Sequence, residues 1–303
     1  MNGYGGFPVS QSLVIALGLL VGLILLARLA APALVRRGFR APRRFEQGSP
    51  ADLGLAYREV RIPTVGGKQL FGWLIPSAAP GPQPMVAVLH GWGGNAEDML
   101  PFATLLHRGG LGVLLLDARN HGRSDAENFS SMPRFAEDLQ HAIDWLAGQP
   151  EVDAARLAVL GHSVGAAACL LAASRQPGLA AVVSISAFTH PAEMMRLAMA
   201  AHHIPYWPIG RWVIGYVQRA IGHRLDDIAP LHTLQAIRCP VLLVHGDQDR
   251  TVPVAEAKIL YAHRSSDAVQ LWVIPGADHD SVEAIQEHGE RLLKFLDQAF
   301  GRP

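Results

Sequence analysis

Cysteine is nearly absent from the chain: Cys169 and Cys239 are the only two among 303 residues. Two thiols cannot staple a small core, so a disulfide-built secreted miniprotein is excluded. Charge is scarce as well, at 17% of residues against ~25% in ordinary soluble chains. Neither sign is in excess, with 26 basic side chains facing 26 acidic ones, and no basic surplus points to nucleic acid as a partner. The sequence has no G-x-x-x-x-G-K-[ST] loop, no G-x-G-x-x-G after a strand and no Cys/His ligand set, so neither a nucleotide cofactor nor a metal is expected. With 50% hydrophobic residues the chain is not disordered. Internal repeats and low-complexity tracts are absent too.

The even charge conceals two unlike parts. Residues 1–50 hold six arginines against Glu46, whereas residues 51–303 hold 20 basic and 25 acidic side chains. Within the first part, residues 13–27 (LVIALGLLVGLILLA) contain no polar side chain. As a helix that run rises about 22 Å, short of a ~30 Å hydrocarbon core. Continuing to Val35, with Arg28 snorkelling toward the headgroups, makes up the difference. A buried helix of a soluble core would show a polar face, and none is present. A cleaved signal peptide, the competing reading, needs positive charge before the apolar run, yet the first 12 residues carry none. The arginines at 36, 37, 40, 43 and 44 follow it instead. Basic flanks stay cytoplasmic, which predicts a single-pass inner-membrane anchor with the body in the cytoplasm. The alternative is a cleaved segment and export.

The body, 51–303, opens with two alternating runs, 57–62 and 69–75, around Val65-Gly66-Gly67-Lys68, a hairpin signal. Short continuous apolar runs follow at 85–89, 112–116, 157–160, 181–185, 241–244 and 269–274, as strands buried on both faces require. Patterns of helical period lie between them, at 96–108, 135–147, 164–174 and 254–263, with a last one at 281–300. This alternation predicts an α/β fold with a mostly parallel central sheet and helices on both faces. Residues 188–238 exceed what one crossover needs and predict a small helical cap over the binding crevice. Its His202-His203 pair lacks Cys or carboxylate partners at ligand spacing and reads as cap packing.

Chemistry concentrates in three loops. Gly161-His162-Ser163-Val164-Gly165 follows a strand and opens a helix, the setting of a G-x-S-x-G nucleophile elbow. Gly161 and Gly165 remove the Cβ atoms that would clash in so tight a turn, and Ser163 falls at a helix N-terminus that favours developing negative charge. Serine needs a base, and His279, after the last strand, is the candidate. An acid must fix the imidazole tautomer, which favours a carboxylate on a separate rigid loop. Among Asp247, Asp249, Asp278 and Asp280, the choice is Asp249, further into the loop after 241–244. The oxyanion donors expected are the backbone N–H groups of Val164 and, from His90-Gly91-Trp92-Gly93-Gly94-Asn95, of Trp92. His90 and Gly91 support that turn, His90 as a structural hydrogen-bonding residue.

Together with Asp117-Ala118-Arg119-Asn120-His121-Gly122-Arg123-Ser124, these motifs make residues 57–300 resemble a serine hydrolase of the α/β-hydrolase superfamily. The resemblance extends to membrane-anchored bacterial relatives similar to acyl-protein thioesterases. It implies a triad of Ser163, Asp249 and His279 and no cofactor. Asn120 stands where relatives usually have glycine, at a position that often wants unusual φ/ψ. The implied activity is hydrolysis of a carboxylic ester of a small-molecule acyl substrate; membrane attachment and an apolar, aromatic cap favour acyl chains of lipidic character. Thioesterase and lysophospholipase-like activities use the same machinery. A peptidase is less favoured because no separate binding domain is evident. A non-catalytic membrane-bound binding protein is the reading from another class, against which the intact, correctly ordered triad argues.

Overall fold

The computed structural model describes residues 11–302. Residues 1–10, the start of the expected anchor segment, and Pro303 lie outside the described residues. The chain divides into two compact units, Met1–Phe39 and Arg40–Pro303. Among the described residues the first holds the helix α1 (Gln11–Gly38), with Pro32 inside it and Arg36 and Arg37 in its last turn. The side chains of the apolar run 13–27 lie largely outside the described residues. Among the described residues no helix is long and apolar enough to cross a membrane, so the single-pass expectation has no support from the structure.

In chain order the second unit comprises β1 (Arg58–Thr64), β2 (Lys68–Ile75), β3 (Gln83–Leu89), α2 (Leu100–Arg108), β4 (Gly112–Leu116), α3 (Met132–Ala147), β5 (Val152–His162) and α4 (Val164–Arg175). It continues with β6 (Ala181–Ile185), α5 (Pro191–Ala201), α6 (Arg211–Ile221), α7 (Leu225–Ile228), α8 (Pro230–Thr233) and β7 (Val241–Gly246). It ends with α9 (Val254–Ala262), β8 (Val269–Ile274), α10 (Val282–Glu287) and α11 (Gly289–Phe300). Eight strands form one sheet in the order β1-β2-β4-β3-β5-β6-β7-β8. The β1–β2 hairpin and the β2–β4 pair are antiparallel, and every other neighbouring pair is parallel.

Sequence pattern explains the arrangement. The edge strand β1 alternates, with Val60, Ile62 and Thr64 inward and Glu59 and Arg61 outward, and it tolerates Pro63 because an edge does not need every N–H. The strands β4 and β6 are buried at every residue, since helices cover both faces of a parallel sheet. One apolar layer packs α3 and α4 against the sheet and a second packs α2 and α11. Parallel strands all point one way, so the loops after β3, β5, β7 and β8 emerge on one edge. Strand order also reverses around β3, where crevices of open α/β sheets form.

Two details depart from the sequence pattern. The closing helix at 281–300 is two helices, α10 and α11. A Cβ at Gly289, which opens α11, would stand 2.4 Å from Leu105 Cδ1 of α2, so glycine lets the two helices meet there. Residues 40–50, which the sequence reading leaves outside the 51–303 body, belong to the second unit. Arg43 Nε donates to Gly122 O at 2.9 Å, Arg44 Nε donates to Gly93 O at 3.0 Å, and Glu97 accepts from Gln47 N and Gly48 N at 2.8 and 3.0 Å. These arginines cap backbone carbonyls of the body rather than merely following an apolar helix.

Candidate active site

The elbow forms because its neighbours leave no room for side chains. A Cβ at Gly161 would lie 2.3 Å from Gly165 O, and one at Gly165 would lie 2.4 Å from His90 O and 2.6 Å from Leu89 O. Ser163 sits between β5 and α4 at φ 55° and ψ −119°, a sparsely populated conformation for a non-glycine residue. Its N–H donates to Ile185 O at 2.8 Å, which ties the strained residue to the neighbouring strand β6. The side chain then stands at the start of α4.

The structure brings the side chains of Ser163, His279 and Asp249 together. Ser163 Oγ lies 3.1 Å from His279 Nε2, and His279 Nδ1 lies 2.7 Å from Asp249 Oδ2. Asp249 Oδ1 accepts from Thr251 N at 2.9 Å and Val252 N at 2.8 Å. His245 Nε2 adds a contact to Oδ2 at 3.3 Å. Burial works to raise the Asp249 pKa, but hydrogen bonds from His245, His279 and Val252 outweigh it and hold the carboxyl far below the usual range. The charged carboxylate faces His279 Nδ1, which turns Nε2 toward Ser163 Oγ.

Two of the other three aspartates are engaged elsewhere. Asp247 Oδ1 accepts from Gly276 N at 2.7 Å, and Asp278 Oδ1 accepts from Ser281 Oγ at 2.6 Å. Asp280 lines the cavity beside His279. His162, Asp280 and His279 bring three ligand-type atoms within 4.8 Å of one another. His162 Nε2 is already committed to His279 O, and the two ring nitrogens of His279 are engaged by Ser163 and Asp249.

His162 is a residue that sequence reasoning passed over. Its Nε2–H donates to His279 O at 2.8 Å, linking the residue before the nucleophile to the backbone of the base. The one sequence signal was its place in the elbow motif. His90 is fully buried; its Nδ1–H donates to Gly91 O at 2.7 Å, and its Nε2 accepts from Ala118 N at 3.1 Å. Both bonds need the neutral ring, and burial, reinforced by His121 and Arg44 nearby, pushes its pKa down to about 3. His90 thus braces the turn that carries Gly91 and Trp92. Asn120, where glycine is usual, adopts φ 69°, and its side chain bridges to Phe129 O at 3.0 Å and Glu127 N.

A cavity of about 650 Å³ opens on Ser163 and His279, lined also by Gly91, Trp92, Arg44, Asp98, Met99, Pro101 and Thr251. Among the described residues, none of its lining comes from 188–238. The expected cap over the crevice is therefore displaced in role: the loop after β3 and the clasped segment around Arg44 supply that wall.

Beneath the clasp, Glu46 and Asp117 bring two carboxyl groups together. Both would crowd a Cβ at Gly122, Asp117 Oδ2 at 1.9 Å and Glu46 Oε1 at 2.3 Å, and the two carboxyl oxygens of half-buried Glu46 are shielded without a hydrogen-bond donor among the described residues. Burial, then the Glu46 carboxyl, raises the Asp117 pKa well above the usual range. The folded state accordingly holds a proton that the unfolded chain has released, and stability falls as pH rises above about 4. Glu46→Gln, which supplies an amide donor to Asp117, should flatten that fall and raise Tm at pH 7–8 by a few degrees, about 1–2 kcal/mol. Thermal melts across pH 5–8 test this; an unchanged slope with no gain in Tm refutes it.

Fold and triad geometry define a serine hydrolase of the α/β class. Within that class the chain belongs to the prolyl oligopeptidase family, whose model matches residues 133–303. An uncharacterized protein of Mycobacterium tuberculosis is 33% identical over 231 residues, covering 76% of this chain and 75% of that protein. The α/β hydrolase domain-containing protein WAV2 of Arabidopsis thaliana is 26% identical over 227 residues, covering 71% and 68%. Among solved structures, the Pyrococcus furiosus esterase Pf2001 superposes with a TM-score of 0.71 at 26% identity, over 87% of this chain and 98% of that one.

Proposed function

We propose that the protein hydrolyses carboxylic esters through an acyl-enzyme on Ser163. The observation that carries this reading is the relay Ser163–His279–Asp249, at 3.1 and 2.7 Å, opening into one cavity. Ser163 Oγ attacks the ester carbonyl while His279 Nε2 takes its proton. The backbone N–H groups of Val164, first residue of α4, and Trp92, on the cavity wall, receive the oxyanion. The tetrahedral species collapses, the C–O bond to the alcohol breaks, and His279 returns the proton to the leaving oxygen. Water, deprotonated by His279, then releases the acid and regenerates Ser163.

Similarity to an esterase over nearly all of its length supports ester over peptide chemistry. Acyl-thioesters and lysophospholipids use the same steps and form the second substrate class. Membrane attachment through the N-terminal segment, with the catalytic body on the cytoplasmic side, is supported by the apolar run 13–27 and the arginines that follow it.

The test is a hydrolysis panel of p-nitrophenyl esters of rising acyl length, acyl-thioesters and a prolyl p-nitroanilide. The expected result is hydrolysis of esters at least about 100-fold faster than of the anilide. Faster cleavage of the anilide overturns the ester assignment. Failure of a fluorophosphonate to label the chain would favour the non-catalytic binding protein.

A further inference from the structure

The insertion between β6 and β7 does not line the cavity, which leaves its apolar side chains without a role in the site described above. Ten large apolar side chains of the Arg40–Pro303 unit are exposed among the described residues, and six of them lie between residues 197 and 212. Trp207 is 70% exposed, Leu197 54%, Ile209 49%, Tyr206 43%, Ile204 39% and Trp212 37%. So dense a group of aromatic and aliphatic side chains on a short stretch is unlike ordinary scattered surface apolarity.

The charge of the same stretch is one-sided. Residues 194–225 contain no Asp or Glu and four arginines, at 196, 211, 219 and 224; Arg196 and Arg224, at its two ends, are ion-paired with Glu193 and Asp226, and Arg211 and Arg219 lie within it. Two of the four lie over the exposed rings: Arg196 over Tyr206 at 4.8 Å and Arg211 over Trp207 at 5.8 Å. Tryptophan and tyrosine with arginine alongside is the chemistry of the membrane interface, where rings sit at headgroup depth and guanidinium groups meet phosphate. A soluble acidic partner would match the arginines but would leave the exposed Trp207 and Ile209 unexplained.

We propose that the α5–α6 region of the cap docks on an anionic phospholipid surface, with Ile204, Tyr206, Trp207 and Ile209 entering the headgroup–acyl boundary and the arginines pairing with lipid phosphates. The contact is interfacial rather than spanning, as an apolar patch rimmed by basic groups dictates. It is a second membrane contact, separate from the N-terminal segment. Because the cap rises from the carboxyl end of β6, on the sheet edge that carries Ser163 and His279, docking brings that edge toward the bilayer.

The experiment uses the full chain with Cys239→Ser and Ile209→Cys, carrying a nitroxide at 209; Cys169 is buried and stays unlabelled. The control carries the label at Asp267→Cys, on a fully exposed turn. Each is mixed with vesicles of phosphatidylcholine alone or with phosphatidylglycerol added, and flotation is measured beside collision of the label with oxygen and with a nickel chelate. The expected result is an oxygen-to-nickel ratio several-fold higher at 209 than at 267 on phosphatidylglycerol vesicles. Trp207→Ser with Arg211→Gln should lower it. Flotation with label 209 as water-accessible as label 267 overturns cap docking and leaves the N-terminal anchor standing. Flotation on phosphatidylglycerol alone with a deep label supports cap docking and overturns the anchor, since a spanning helix holds in either lipid. Equal depth in both lipids overturns the anionic assignment, and flotation in neither overturns both contacts.

Discussion

Ser163→Ala should lower ester turnover by at least about 10⁴-fold while leaving the melting temperature nearly unchanged. Only the hydroxyl is lost, and its contact is with His279 Nε2 at 3.1 Å. The backbone bond from Ser163 N to Ile185 O remains, and alanine carries the same cost as serine at φ 55°. Fluorophosphonate labelling should vanish in parallel. A variant that keeps parental turnover while folded would place the nucleophile elsewhere.

Asp249→Asn should cost about 10³–10⁴-fold in kcat, and Asp247→Asn only a few-fold. The difference follows from what each carboxylate holds. Asp249 Oδ1 is fixed by two backbone N–H groups, so an asparagine keeps its oxygen there and turns its amide toward His279 Nδ1. That amide donates, which forces the proton of the imidazole onto Nε2, where it can no longer accept from Ser163. Asp247 instead accepts from Gly276 N, a turn contact that asparagine reproduces through its oxygen. Steady-state kinetics on both variants check the pair. Equal losses would mean that Asp249 has no special role in holding the base.

Much of this was legible in the sequence because it is local. The apolar runs mark strands whose faces are both covered, and the elbow glycines mark a turn with no space for Cβ atoms. Asp249 emerged from four neighbouring aspartates by its depth in the loop, a cue that backbone N–H groups of Thr251 and Val252 turn into geometry. What was not legible depends on contacts between distant segments. Nothing near Arg43 announces that it caps carbonyls of Gly122 and Ser124. The close approach of Glu46 to Asp117 has no local signature either, since the two lie 71 positions apart in the sequence. The cap was expected over the crevice from its length. Length says that an insertion exists but not which neighbouring loop reaches the cavity first.

The clasp around Arg44 has a consequence for how such a chain can be cut or recombined. Arg44 lines the cavity while it grips Gly93 O and Asp98 on the loop that carries Trp92. A shortened chain beginning at residue 51 would lose a wall of its own reaction chamber, whereas one beginning at Arg40 would retain it. The leading segment and the catalytic body are therefore not interchangeable modules: the seam between them lies ahead of the arginines, and evolution or an engineer joining this body to another leader has to carry residues 40–48 along.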